Sequence, residues 1–445
     1  MKVTVFGAGY VGLVHAAVLA EIGHDVLCID TDPIKIQNLK KNIIPIFETG
    51  LQPLILKNSR LKRLQFSSNA EEGVKHGFIQ FITVGTPEAK DGFVDIKNVI
   101  SVSHTIAKNM QEHKIILNKS TVPVGTTEHI FHLITKILKD RNIKLRCDVV
   151  SNPEFLTEGS AVINCINPER IIIGTNNLDI INILEELYEP LNKQHNRILF
   201  MDIRSAELTK YTANCILATK ISFMNEISNL AELLGADIEK VRKGISSDSR
   251  IGYPFLYPGC GYGGSCLPKD IRALIRTSEE FGYDPEILKA VVKVNYFQQR
   301  KLFTIIKRHF KENLKGKTFA LWGLSFKPNT NDMRDASSKV LMEELWKSGA
   351  IIKAFDPAAL NEARYIYGIR DDLKLMKTKE LALQDSDGLI VCTEWKTFQS
   401  PNFTVIKSKL KTPVIFDGRN IYNPAQLKKY GFIYYSIGRK PLHKK

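Results

Sequence analysis

Residues 7–12 read Gly-Ala-Gly-Tyr-Val-Gly, a GxGxxG run set between an apolar strand, Lys2–Phe6, and a helical pattern reaching Glu21. Each glycine has a physical task in such a turn. Gly7 permits the tight bend, Gly9 lets the main chain approach a pyrophosphate, and Gly12 lets helix and strand pack closely. Tyr10 and Val11 open the helix, whose free N–H groups and positive dipole end face the phosphates. The next apolar run, 26–30, closes on Asp30. A carboxylate there accepts from both ribose hydroxyls and repels a 2′-phosphate, which favours NAD over NADP. A tight turn without a ligand is the alternative, and the strand and helix on either side weigh against it.

The logic recurs later. A strand over 317–322, a turn at Gly323, a helix over 337–348 and a strand over 352–356 ending in Asp356 repeat the βαβ unit. Later strands are expected at 78–84, 114–118, 148–151 and 170–173 in the first half, and at 388–392 and 414–416 in the second. From 205 to 310 apolar residues recur at helical spacing, through Ala206, Leu208, Tyr211, Ile216, Leu217, Ile221, Met224 and Ile227. One break is expected, the Gly- and Pro-dense loop 253–270. The fold class is therefore α/β: two Rossmann-like doubly wound parallel-sheet domains joined by a central helical region. The boundaries are placed at 1–203, 204–312 and 313–445.

At 445 residues, with 44% hydrophobic and 24% charged residues, the chain reads as a folded protein of two or three domains. It lacks a signal-peptide pattern and any apolar run near the roughly 20 residues that span a bilayer. A cytoplasmic location and no membrane partner are expected. The net charge of +15 raises the question of nucleic acid. The basic residues are spread, and groups such as Lys407, Lys409 and Lys411, or Arg439, Lys440, Lys444 and Lys445, read as solvated surface. No nucleic-acid partner is expected; an anionic small molecule fits the charge. Seven cysteines lack zinc-type pairing, so no metal is expected. Cys28, Cys165, Cys215 and Cys392 lie in apolar surroundings, and Cys260 and Cys266 read as free thiols.

Three groups of residues carry chemistry. In Gly263-Gly264-Ser265-Cys266-Leu267-Pro268-Lys269-Asp270, a cysteine after two glycines is sterically open. Lys269 and a helix start after Pro268 favour its thiolate, and Asp270 suits orienting a water or a base. A buried thiol in a Gly-rich turn is the alternative. Lys210 and Asn214 stand four apart on one helix face, suited to holding an oxyanion or a water, or simply to facing solvent. Glu154, in the run 152–159 after a strand, sits where α/β sheets bind ligands and suits acid/base work. Acids in the first turn of a helix explain that run equally well.

Taken together, these runs resemble the UDP-glucose/GDP-mannose dehydrogenase family over essentially the whole chain. The markers are GAGYVG at 7–12, P-x-x-E-x-G-L at 45–51, KSTVPVGT at 119–126, NPEFLTEG at 152–159, GYGGSCLPKD at 261–270 and GLSFKPNTNDMRDASS at 323–338. Thr157 stands where family members vary. The resemblance implies two successive hydride transfers to NAD from the sugar C6, through a Cys266 thiohemiacetal and thioester. Asp270 and Glu154 would direct the hydrolytic water, and Lys210 and Asn214 would stabilise oxyanion character. It further implies Gly7–Gly12, Asp30, Lys35, Thr86, Thr121, Glu158, Lys269 and Arg334 around NAD. Around the sugar nucleotide it implies Phe155, Leu156, Lys210, Asn214, Phe255, Tyr257, Gly261, Phe326, Lys327 and Arg419. Arg250 would reach the substrate of a neighbouring subunit, so a homodimer or higher homo-oligomer is implied, with the central helices as the dimerisation region. The loop residues Arg250-Ile251-Gly252 and Gly261-Tyr262-Gly263-Gly264 match the UDP-glucose branch, whose product is UDP-glucuronate. The GDP-mannose branch, which shares SCLPKD, is the runner-up. The UDP-N-acetylmannosamine branch, with His before the cysteine, is further away.

Overall fold

The computed structural model describes residues 1–89, 92–192 and 196–442. The chain divides into two compact units, Met1–Ala213 and Asn214–Lys445. In the first, eight strands form one sheet: β1 (Lys2–Phe6), β2 (Asp25–Ile29), β3 (Leu64–Ser67), β4 (Ile79–Ile82), β5 (Lys114–Asn118), β6 (Cys147–Ser151), β7 (Ile171–Gly174) and β8 (Ile198–Met201). Their order is β3-β2-β1-β4-β5-β6-β7-β8. The first six run parallel and reverse direction of growth between β1 and β4, the switch point of a doubly wound sheet. The remaining pair departs from the all-parallel expectation: β7 meets β6 antiparallel at Ser151 and Gly174, and β8 then runs parallel to β7. The short helix Ala161–Ile166 lies between β6 and β7 in sequence and buries Ala161, Val162 and Cys165 in the same core as the helix Tyr10–Glu21.

These strands are runs of Val, Ile, Leu and Phe because both faces of the sheet are covered, so alternation is lost. One layer buries Val3, Val5, Leu13, Leu19 and Phe81, and the other Phe6, Ile82, Ile116, Ile130 and Ile134. The helix Tyr10–Glu21 is buried from Gly12 to Ala20 without interruption. Its small residues let it lie close to β1, and each fully buried Leu or Val there contributes roughly 1.5–3 kcal/mol.

The second unit opens within the long helix Ile203–Leu234 and continues through helices Ile238–Ser246, Leu267–Glu280, Glu286–Gln298 and Lys301–His309. A second sheet follows: β9 (Thr318–Trp322), β10 (Ile351–Phe355), β11 (Leu373–Leu375), β12 (Gly388–Val391), β13 (Val414–Asp417) and β14 (Ile433–Ser436). Its order, β11-β10-β9-β12-β13-β14, repeats that of the first six strands, and here every pairing is parallel. The Gly-rich loop runs over 247–266 and so ends earlier than 270. The helix starts at Leu267, one residue before Pro268 and not after it, because proline has no N–H to lose in a first turn.

The basic clusters are tied down locally: Lys407 donates to the Tyr430 carbonyl, Lys411 pairs with Asp387, and Arg439 with Asp237. Lys444 and Lys445 lie outside the described residues. Among the described residues no helix is long and apolar enough to cross a membrane, and no group of His, Cys, Asp or Glu is placed to hold a metal ion.

Candidate active site

The carboxyl ends of β1, β2, β4, β5 and β6 carry the first unit's functional candidates. Gly9 precedes the helix as its N-cap, with no side-chain cap and no acid in the first turn, so the N–H groups there await an external acceptor. A methyl group added to Gly9 would meet nothing within 4 Å, whereas one added to Gly12 would lie 1.7 Å from the Gly7 carbonyl oxygen. Open space at Gly9 beside a closed joint at Gly12 is what a pyrophosphate on a helix N-terminus requires. Asp30 leaves β2 with Oδ2 accepting from the Ala8 N–H at 2.8 Å and from Lys35 Nζ at 3.0 Å, and Oδ1 from the Asp32 N–H at 3.0 Å. A carboxylate has about four acceptor positions, so one remains for a ribose hydroxyl. Thr86 Oγ1 donates to the Thr121 carbonyl at 2.9 Å, which joins the ends of β4 and β5. These residues fit NAD.

The corresponding acid of the second sheet, Asp356, is sealed. Its Oδ2 takes the N–H groups of Leu324 and Ser325 and the indole of Trp395, and its Oδ1 those of Ala358 and Ala359. With no acceptor position left and 1% exposure, Asp356 has nothing to offer a ribose. The second sheet repeats the order of the first six strands of the first, but its acid has no acceptor position left.

Glu154 follows β6 and is buried. Its Oε1 accepts from the Leu156 N–H at 2.5 Å, and its Oε2 lies 3.4 Å from Lys119 Nζ. Lys119, at the end of β5, also donates to Asn152 Oδ1, which takes the Tyr188 hydroxyl at 2.5 Å as well. Neither Lys119, Asn152 nor Tyr188 stood out by motif chemistry, although Lys119 opens the KSTVPVGT run. Burial pushes the Tyr188 phenol well up, so it stays a neutral donor. Phe155 is faced by two cations, Arg170 at 4.3 Å and Lys210 at 5.1 Å from the ring centre, so Lys210 is not simply facing solvent. Glu48 of the 45–51 run accepts from the N–H groups of Gly159 and Ala161, and Tyr10 shares the Gly159 bond. Glu158 and Leu156 lie on the same segment, partly buried.

In the second unit Cys266 is the exposed cysteine of the seven, the others being buried. It stands at the N-cap of the helix Leu267–Glu280, beside the Ser265 hydroxyl at 3.5 Å. Asp270, in the first helical turn and 1% exposed, sits between two donors: Asn214 Nδ2 at 2.6 Å from Oδ2 and Lys269 Nζ at 2.6 Å from Oδ1. Lys269 therefore neutralises Asp270, a partner different from the sulfur that its position in the sequence suggests. The glycines before the cysteine are close contacts: a methyl on Gly263 would lie 2.2 Å from the Asp335 carbonyl, and one on Gly264 2.7 Å from the Phe326 ring. Arg419, after β13, reaches Cys392 O at 2.7 Å, Gly261 O at 3.3 Å and Phe326 O at 3.3 Å. It is thus brought together with Gly261, Phe326 and the neighbouring Lys327, whose ammonium lies over the Phe326 ring. Phe255, at φ 64°, and Tyr257 project from the exposed part of the loop. Arg250 is exposed and pairs with Asp248, and Arg334 is exposed and pairs with Asp332.

Three consecutive matches cover this architecture: the UDP-glucose/GDP-mannose dehydrogenase NAD binding domain over residues 1–192, the central domain over 204–296 and the UDP binding domain over 320–424. A UDP-glucose 6-dehydrogenase of Pseudomonas aeruginosa is 45% identical over 442 residues, 99% of this chain and 98% of that one. A UDP-glucose 6-dehydrogenase of Bacillus subtilis is 44% identical, again covering 99% of this chain and 98% of its own. The solved structure of a UDP-glucose dehydrogenase from the hyperthermophilic archaeon Pyrobaculum islandicum superposes with a TM-score of 0.90 at 33% identity, over 99% of this chain and 98% of that one. The fingerprint at Gly7–Gly12, the exposed Cys266 and the matches along the whole length lead to one conclusion: the chain belongs to the UDP-glucose/GDP-mannose dehydrogenase family.

Proposed function

We propose that the chain is an NAD-dependent oxidoreductase that converts UDP-glucose to UDP-glucuronate in two oxidations at C6. The observation that carries the chemistry is a single open thiol at a helix head, with a buried carboxylate, bonded by Asn214 and Lys269, in the same helical turn. Full-length identity to UDP-glucose 6-dehydrogenases supports the sugar over GDP-mannose.

When bound at the fingerprint, NAD supplies the hydride acceptor for each oxidation. The C6 alcohol loses a hydride and a proton to become an aldehyde. The Cys266 thiolate adds to the aldehyde carbon, forming a C–S bond and an alkoxide that takes a proton. Loss of a second hydride and that proton leaves a thioester. Water directed by Asp270 and Glu154 adds to the thioester, the C–S bond breaks, and carboxylate, thiolate and the two protons of the water are released. Lys210 and Asn214 offset oxyanion charge at C6, a kind of stabilisation worth about 3–4 kcal/mol per donor in comparable sites. Phe155, Leu156, Gly261, Phe326, Lys327 and Arg419 take the nucleotide sugar, and Arg250 that of a neighbouring subunit.

The reading includes a three-part chain, 1–203, 204–312 and 313–445, working as a homodimer or higher homo-oligomer in the cytoplasm. A stripe of exposed apolar residues at seven-residue spacing, Ile216, Phe223 and Leu230, supports a helix-mediated dimer, and unpaired cysteines suit a reducing compartment. The net charge of +15 is assigned to anionic nucleotide sugars, with no nucleic acid or membrane as partner. The test is NADH absorbance at 340 nm with UDP-glucose, GDP-mannose and UDP-N-acetylmannosamine in parallel. Two NADH per UDP-glucose are expected, with no net acid from Cys266→Ser; one NADH per sugar, or an active serine variant, overturns the thioester route.

A further inference from the structure

The loop that delivers Cys266 is packed among helices, whose own N–H and C=O groups are consumed internally. Its main chain must find other partners or leave buried polar groups unpaired. At two residues the partners are side-chain amides. The Gly259 N–H donates to Asn225 Oδ1 at 2.9 Å, and Gln298 Nε2 donates to the Gly259 carbonyl at 2.6 Å. Three residues on, the Tyr262 N–H donates to Asn295 Oδ1 at 2.9 Å, while Asn295 Nδ2 donates to the Tyr262 carbonyl at 3.1 Å. Gln299 Nε2 adds a second donor to that carbonyl at 3.0 Å. Asn225, Asn295 and Gln298 are all buried.

An amide presents one acceptor and one donor in a single plane, the pattern an adjoining strand would present to an extended residue. No hydrocarbon side chain can do this. Between the two clips, the Cys260 N–H bonds to Gly418 O at 2.9 Å and the Gly261 carbonyl accepts from Arg419 at 3.3 Å. After them, the Gly264 N–H bonds to Arg334 O at 2.8 Å, two residues short of Cys266. The loop's backbone before Cys266 is thus held at Gly259 and Tyr262 by amides on, or at the end of, helices Ile203–Leu234 and Glu286–Gln298, and at Cys260, Gly261 and Gly264 by Gly418, Arg419 and Arg334.

We propose that Asn295 and Gln298 are positioning residues, which act as a surrogate strand to aim Cys266. The proposal rests on Cys266 being the nucleophile and assigns no contact with substrate to either amide. Asn295→Leu fills similar volume and removes both bonds; Asn295→Asp keeps an acceptor for the Tyr262 N–H; Gln298→Met tests the other clip and decides the matter if Asn295→Leu fails to fold. Steady-state kinetics would be measured with UDP-glucose, alongside NAD affinity as a check on the first unit. The expected result is a kcat lower by about 100-fold in Asn295→Leu, the loss a displacement near 1 Å can cause. NAD affinity is expected unchanged, with a smaller loss in Asn295→Asp. A Cys266 alkylation rate by iodoacetamide that differs from wild type would accompany it. Variants that keep wild-type kcat, or lose activity only through KM, overturn the proposal. A separate control, Cys266→Ser, distinguishes the two layers: full activity there sinks the nucleophile reading, whereas an inactive serine variant beside fully active Asn295→Leu and Gln298→Met sinks the positioning role alone.

Discussion

Asn214 donates to Asp270 across 2.6 Å, from a helix that begins in the first unit to one that begins next to Cys266. The bond holds a carboxylate that is 1% exposed, and Lys269 supplies its countercharge at 2.6 Å. Removing the charge while keeping the shape separates oxidation from hydrolysis. Asp270→Asn is expected to lower kcat by about 10²–10⁴-fold, the range of a lost general base. The two oxidations should still run once, giving a burst of two NADH per active site and a sugar-nucleotide adduct on Cys266 in the intact mass. No burst and no adduct would show that Asp270 acts before the thioester.

Six of the seven thiols are closed off. Burial pushes Cys147 up to about 11, Cys165 to about 12 and Cys215 to about 12, and it raises Cys28 as well. The hydrogen bond from Cys392 draws Cys260 down, but that thiol is fully enclosed. A chromogenic disulfide reagent near pH 8 should therefore consume one thiol per native chain quickly and all seven after denaturation. Two or more fast thiols in the native protein would contradict the arrangement.

Much of the architecture was legible because it rests on local chemistry. GxGxxG and the apolar runs each act over a few residues, so the strands that were expected lie within one or two residues of their places, whereas β3, β8, β11 and β14 were not foreseen and the loop expected at 253–270 lies at 247–266. The reversal of β7 was not legible, since Ile171–Gly174 is as apolar as a parallel strand and nothing in its own residues marks its direction. Lys119 meeting Glu154, and Glu48 meeting Gly159, were also invisible: they are joined only once β5 and β6 are side by side or a loop folds back across more than a hundred residues. The openness of Cys266 was legible from the two glycines before it, but Lys269's partner was not.

Glu207 gives the first unit a pH dependence. Its carboxylate caps the helix Thr126–Asp140, accepting from the Gly125 N–H at 2.6 Å, the Thr127 N–H at 2.8 Å and the Thr127 hydroxyl at 2.7 Å. Burial nevertheless wins, and the carboxyl is raised above its usual 4.5. A raised acid binds its proton more tightly in the folded state, so its contribution is fully present below 4.5 and is lost as pH rises through the folded value. Glu207→Gln should flatten the stability–pH curve above 4.5, at a cost of about 1–3 kcal/mol for the N–H left unpaired. Urea midpoints across that range check it; an unchanged slope would assign the dependence elsewhere.

Gly9 and Gly12 stand three residues apart and should respond oppositely to the same methyl group. At Gly12 alanine gains about 1 kcal/mol in helix propensity. Against that, its Cβ would lie 1.7 Å from the Gly7 carbonyl oxygen, which is main chain and cannot swing aside. Overpacking costs about 1–3 kcal/mol even where neighbours yield, so the clash wins and Gly12→Ala should destabilise the first unit by about 3 kcal/mol or more. At Gly9 a methyl meets nothing within 4 Å, so Gly9→Ala should leave the urea midpoint within about 0.5 kcal/mol of wild type. With the pyrophosphate proposed to occupy that open space, NAD affinity should fall by about tenfold, close to 1.4 kcal/mol. Calorimetric titration with NAD beside urea unfolding separates the two effects. Gly9→Ala binding NAD as wild type does would place the phosphates away from this turn.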